Sequence, residues 1–151
     1  MKNVTNRDDI DRRLAVFTEF CHQRGIKATH QRSEIYRELL KTSEHPNAET
    51  IYARVKKRIP AISLDTVYRT LRLLVQEGII SRVSAAGESM RFDGNTERHH
   101  HFICTECGLV RDFYSDDFDG LTVPGEVTAL GAVNSVHVEI RGVCNICRGE
   151  K

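Results

Sequence analysis

Between residues 9 and 24, apolar side chains recur at Ile10, Leu14, Phe17, Phe20 and Cys21. That three- and four-residue spacing puts them on one face of a helix, which Gly25 stops. A second helix is expected after Thr29, over 30–41, with Ile35, Leu39 and Leu40 turned inward. His45 and Pro46 break the chain, and Asn47 is a good cap for a third helix over 48–58, with Pro60 beyond it. Ser63 caps a fourth over 64–77, carrying Val67, Leu71, Leu74 and Val75 and closed by Gly78. Two β-type runs follow at 79–84 and 89–92, separated by the turn residues 85–88.

Helices followed by a hairpin, with a short connection between the third and fourth helices, make a winged helix-turn-helix. Thr66, Tyr68, Arg69, Thr70 and Arg72 lie on or near the outward face of the fourth helix. Such side chains reach phosphates and base edges in a major groove. A plain helical bundle with a solvated basic face would show the same pattern. After Asp93 the pattern changes: residues 94–98 read as a linker, with short β runs at about 101–104, 109–113 and 134–141. Segment 115–131, with Gly120, Pro124, Gly125 and Gly131, predicts at most a short helix. The expected fold is α+β: a winged-helix domain at 1–88, a hinge at 89–98, and a small α/β domain at 99–151.

The net charge of +1 hides an asymmetry. Residues 1–88 carry 16 Lys/Arg against 11 Asp/Glu, and residues 89–151 carry 6 against 10. A basic first part suits a polyanion, and an acidic second part rich in ligand-type side chains suits a cation. The first residues lack an apolar core of signal-peptide length and no stretch approaches a membrane span, so a cytoplasmic protein is expected. In a reducing compartment paired cysteines read as metal ligands or redox thiols before disulfides.

Cys104 and Cys107 form one CxxC pair, Cys144 and Cys147 another, with 36 residues between them. Each can present two thiolates to a tetrahedral Zn²⁺, and four soft ligands leave no open position, which makes the site structural. Redox or merely buried cysteines are the bland alternatives. Cys21, on the apolar face of the first helix, reads as an inert core thiol. Before the first pair stand His99, His100 and His101. In a strand, His99 and His101 share a face and His100 points away. With Asp93 and Asp112 they make a mixed nitrogen and oxygen set suited to Fe²⁺, Mn²⁺ or Zn²⁺. A solvated histidine strand is the alternative.

These residues spell out a family. The runs KATHQR (27–32), HPNAETIY (45–52), ISLDTVYRTL (62–71), GII (78–80), RFD (91–93), HHHFICTECG (99–108) and GVCNIC (142–147) resemble the ferric uptake regulator (Fur) superfamily over about residues 10 to 148. The resemblance implies a homodimer whose C-terminal sheets pair across a two-fold axis, with two winged helices on a palindromic double-stranded DNA operator. It assigns Cys104, Cys107, Cys144 and Cys147 to structural zinc, and His45, Asp93, His99, His101 and Asp112 to a regulatory metal, Fe²⁺ or Mn²⁺. DNA contacts would come from Lys27, Arg32, Thr66, Tyr68, Arg69 and Arg72. One ion shared by the two domains would fix the spacing of the reading heads, provided that it binds the DNA-competent conformation more tightly.

Asp93 resembles the peroxide-sensing (PerR) branch of that family, whereas iron-sensing members carry Glu in this region. The implied function is a repressor of oxidative-stress genes in which Fe²⁺ reacts with peroxide and oxidises the histidine at 45 or 99. The alternative is an iron- or zinc-responsive repressor of metal-uptake genes, since residues 66–70 read more like the iron-sensing recognition helix. An extra site of iron-sensing members looks incomplete here: its histidine position is Val136, His137 lies one residue off, and Asp119 is the candidate acid. His100 departs from both patterns. An enzyme is not expected, because no HExxH is present and the cysteines are better used as a closed site. A zinc-stapled interaction module without DNA binding is the remaining class.

Overall fold

The computed structural model describes residues 6–83, 90–95 and 97–150. The chain divides into two compact units, Met1–Thr96 and Glu97–Lys151.

In the first unit α1 (Arg7–Gln23), α2 (His30–Leu40), α3 (Ala48–Lys56) and α4 (Leu64–Gln76) precede the antiparallel strands β1 (Ser81–Val83) and β2 (Arg91–Asp93). Each helix begins where a short polar side chain accepts an otherwise orphaned amide. Asn6 accepts from Asp9, Thr29 from Arg32, Asn47 from Thr50 and Ser63 from Thr66. Each such cap stabilises its helix by about 1 kcal/mol. Gly25 and Gly78, at φ 68° and 74°, take the left-handed conformation that ends α1 and closes the turn after α4. Ile35, Leu39, Ile51, Val55, Val67, Leu71 and Leu74 fill the core between the helices.

Four expectations change here. Phe20 sits at the rim of α1, with the Arg24 guanidinium 4.6 Å above its ring, because only the 10–14–17–21 stripe faces the core. Val75 is half-buried at the core's edge. Thr70 is buried, since it follows Val67 by three residues on the inward face. Among the described residues the ladder covers 81–83 and 91–93, so 79 and 80 fall outside it; residues 84–89, with the expected turn, lie outside the described residues.

In the second unit β3 (His100–Cys104) is the centre of a three-stranded sheet, ordered β4-β3-β5. Strand β4 (Val110–Phe113) pairs with it antiparallel and β5 (Glu139–Gly142) pairs parallel. A parallel return needs a long connection. That connection carries two four-residue helices, α5 (Asp116–Asp119) and α6 (Gly125–Thr128), where at most one was expected. Ser115 caps α5 by accepting from Phe118, and Pro124 provides the extended residue before α6. The expected run at 134–141 is a strand only from Glu139, although the Val138 carbonyl already accepts from the His101 amide. Ile103 and Val110 are fully buried, but few apolar side chains accompany them. So small a core needs a further constraint to be stable alone.

Candidate metal centres

The parallel β3–β5 register sets Cys104 opposite Gly142 and so brings together two cysteine pairs distant in sequence. One sulfur from each of Cys104, Cys107, Cys144 and Cys147 lies within 4.8 Å of the others. The first pair is folded into a knuckle: the Gly108 amide returns to the Cys104 carbonyl (3.0 Å), and Gly108 has φ 74°. The second knuckle repeats this, with the Arg148 amide on the Cys144 carbonyl (3.0 Å) and Gly149 at φ 79°.

The amides of Cys107 and Cys144 donate to the Cys104 sulfur and pull its pKa down to about 6. Cys147 is pushed up to about 12, because its thiol proton is shared with the sulfurs of Cys144 and Cys107. One ready thiolate among closely spaced thiols is the state from which a divalent cation displaces the remaining protons. The donor set fits zinc. Cys21 belongs to the first unit, on the buried face of α1, and its burial raises the thiol pKa.

In the first unit the chain between α2 and α3 places His45. Its backbone is left-handed, φ 56°, and it is the one non-glycine residue with positive φ among those described. Histidine tolerates this region better than most side chains, and such strain concentrates at functional positions. The Phe92 amide donates to the Pro46 carbonyl (3.0 Å), tying this segment to β2. The result is a buried pair, His45 Nε2 to Asp93 Oδ2 at 3.5 Å. Asp93 also accepts from the Asn95 amide through Oδ1.

In the second unit the β3–β4 register sets His101 opposite Asp112. His101 Nε2 lies 3.1 Å and His99 Nε2 3.6 Å from Asp112 Oδ1, and the two Nε2 atoms are 3.2 Å apart. His99 stands just before the strand, yet its ring meets that of His101. Its Nδ1 is within hydrogen-bond distance of the Glu97 carbonyl, which can only accept, so the proton of neutral His99 sits on Nδ1. Two imidazole nitrogens and a carboxylate oxygen converge, as a divalent-cation site requires.

His100 does point away, but into the unit rather than into solvent. It is fully buried against Phe113 and Phe118, donating from Nε2 to Asp119 (2.8 Å) and accepting at Nδ1 from the Val138 amide (3.1 Å). Both nitrogens are used in structure. Arg98 Nε approaches the same Asp119 oxygen at 3.4 Å. The residue that sequence reasoning missed is His137. The sequence put it one residue off the Val136 position, on the opposite face of an expected strand, but residues 132–138 are not strand, so alternation does not apply. Its Nε2 lies 2.9 Å from His101 Nδ1 and its Nδ1 3.2 Å from the His99 carbonyl. Burial, then the neighbouring His101, lowers its pKa below the ordinary histidine value.

The six candidate DNA contacts all lie in the first unit. Tyr68, Arg69 and Arg72 are exposed on α4 and Lys27 is exposed between α1 and α2. Arg32 donates to the Lys27 carbonyl (2.7 Å), and the half-buried Thr66 shares a hydrogen bond with the cap Ser63. Arg69 pairs with Asp65 (2.9 Å), and the Tyr68 hydroxyl donates to Glu49. No helix among the described residues is long and apolar enough to cross a membrane.

Comparison with known proteins gives a consistent picture. The model of the ferric uptake regulator family matches residues 23–129. The peroxide-responsive repressor PerR of Staphylococcus epidermidis is 33% identical over 143 residues, covering 95% of each chain. The Campylobacter jejuni peroxide stress regulator superposes with a TM-score of 0.65 at 28% identity, over 87% of this chain and 95% of that one. The Helicobacter pylori ferric uptake regulator Fur superposes with a TM-score of 0.77, over 98% and 97% of the chains; at 22% identity this shows a common fold.

Proposed function

The chain belongs to the ferric uptake regulator family, and on that premise we propose that it is a metal-dependent, DNA-binding repressor that responds to peroxide. Cys104, Cys107, Cys144 and Cys147 hold structural zinc. His45 and Asp93 of the first unit and His99, His101 and Asp112 of the second hold one Fe²⁺ or Mn²⁺, with residues 89–98 as the hinge. The observation that carries the reading is the ring geometry in the second unit: His99 and His101 both turn Nε2 toward Asp112. It is supported by the peroxide-responsive relative at 33% identity.

The chain's own residues do most of the work. His45 and Asp93 are already paired and buried, so the first unit offers its ligands as one preset group. A group that prefers the conformation in which both halves meet shifts the population toward it, and DNA affinity rises with it. Bound Fe²⁺ supplies a reductant toward peroxide that Mn²⁺ does not, with the His45 and His99 imidazoles as the adjacent oxidisable groups. Lys27, Arg32, Thr66, Tyr68, Arg69 and Arg72 meet the duplex, and two such units on a homodimer read a palindromic operator. In the second unit β5 is a sheet edge, with Ile140 41% exposed on it, an open strand on which a second copy can pair. The protein acts as a regulator and not as an enzyme.

The test loads the zinc-containing protein with Fe²⁺ or Mn²⁺ and adds peroxide. Duplex binding is then followed by anisotropy, and histidine oxidation by mass spectrometry. Loss of binding with oxygen added at His45 or His99 in the Fe²⁺ form alone is the expected result. Equal behaviour of the two forms removes peroxide sensing and leaves a metal-uptake regulator. Ala at both Asp93 and His99 should abolish the response to chelators; if it does not, the regulatory site is elsewhere.

A further inference from the structure

Metal-binding histidines depend on the nitrogen that does not touch the metal: its partner fixes the tautomer and the ring plane. His99 has the Glu97 carbonyl in that role. For His101 the partner is a third imidazole, and the carbonyl at the far end orders the protons along this chain when its rings are neutral. The His99 carbonyl can only accept, so His137 donates to it from Nδ1. Neutral His137 therefore presents a lone pair at Nε2, and the contact at 2.9 Å is completed by the proton on His101 Nδ1. His101 is left with an unprotonated Nε2, the atom directed at Asp112.

We propose that His137 is a positioning residue of the regulatory metal site, which commits His101 to the tautomer able to ligate through Nε2. This rests on the assignment of His99, His101 and Asp112 to that site. His137 is not itself a ligand in this arrangement, since both its nitrogens are engaged by His101 and by the His99 backbone. It links the two histidines: their rings lie 4.7 Å (His101) and 6.5 Å (His99) from its own, centroid to centroid. A single side chain thus holds one ligand by its ring and the other by its main chain. Without it, the His101 ring can rotate, and its Nε2 can carry the proton that a cation must first displace.

The experiment uses the full-length, zinc-containing protein and Mn²⁺ as the probe. His137→Ala should weaken Mn²⁺ binding, measured against a competing chelator, by about 10- to 100-fold. His137→Gln, whose amide oxygen can accept from His101 and whose NH₂ can donate to His99, should recover most of it. In the metal-free protein, long-range ¹H–¹⁵N correlation should show the His101 proton on Nδ1 in the parent and in His137→Gln, and a mixture in His137→Ala. Pulsed EPR of bound Mn²⁺ should count the same number of coordinated imidazoles in all three. Unchanged affinity in His137→Ala overturns the proposal. So does His137→Gln as weak as Ala, or the loss of one coordinated imidazole, which would make His137 a ligand. His101→Ala is the control: if it binds Mn²⁺ like the parent, the metal-site assignment itself fails.

Discussion

Arg58, in the turn after α3, places its Nη2 2.7 Å from the carboxylate of Glu38, which is buried in α2. The same guanidinium reaches Glu34 at 2.9 Å through Nε, so one side chain ties the turn after α3 to α2 through two carboxylates. Arg58→Met would leave Glu38 with Lys41 alone, 3.3 Å away. Removing one partner of a fully buried pair costs about 3–5 kcal/mol. Arg58 is 40% exposed, so the expected loss is smaller, roughly 1–2 kcal/mol. Urea unfolding followed by circular dichroism measures it, and adding Glu38→Leu should restore part of the loss. An unchanged midpoint in Arg58→Met would show that the pair contributes nothing.

Helix α4 holds two of the proposed DNA-contacting side chains, Tyr68 and Arg69, in internal contacts. Tyr68 donates to Glu49, which lowers the Glu49 pKa and raises that of the tyrosine. Glu49→Gln replaces the carboxylate acceptor with a weaker amide oxygen and removes one negative charge from the proposed DNA-binding face. We expect duplex binding to tighten by about two- to tenfold at low salt. Tyr68→Phe should weaken it by about two- to tenfold, one hydrogen bond's worth. Arg69→Ala should cost about 1–3 kcal/mol if it reads a base, or lower the salt slope by about one if it meets phosphate. Anisotropy on a duplex selected from a random pool by the parent protein separates these cases.

Zinc should be present at one ion per chain by elemental analysis. Cys104→Ser is expected to lose it and to expose the other three thiols to alkylation, because a structural zinc site's binding energy is folding energy. Cys21→Ala should keep the metal, since Cys21 belongs to the apolar cluster of the first unit. Zinc retained in Cys104→Ser would refute the four-sulfur assignment.

Tyr36 gives an alkaline limit. Burial pushes its phenol above the ordinary value, partly offset by Arg13. A raised folded pKa favours the protonated form. Its contribution to stability is therefore complete below about pH 10, the unfolded tyrosine value, and is lost as pH rises through the folded value. Phenolate absorbance should show Tyr36 and Tyr68 titrating late, with only the Tyr68 component left in Tyr36→Phe and the parent's stability falling over the Tyr36 window.

The four helices were legible because period and caps agree: Thr29, Asn47 and Ser63 each fall one residue before a helix that carries an apolar stripe. The cysteine knuckles were legible because CxxC spacing carries its own chemistry. What the sequence hid depended on long-range pairing. Nothing local marks β5 as parallel to β3, and that pairing ends the strand at Glu139 and leaves His137 outside it. His100 takes its partners from α5 and from Val138, well removed in sequence, so its burial had no periodic signal. His45 looked like a helix-boundary residue. Its left-handed backbone and its pairing with Asp93 follow from the tie between Pro46 and β2, which only the folded chain provides.

Strand β3 carries Cys104 at its end and His101 three residues earlier, about 10 Å away by strand rise. The proposed metal-binding histidines and the cysteine cluster therefore share one rigid element. On the proposed assignment, an ion that closes the cysteine knuckles would also steady the strand that carries His101.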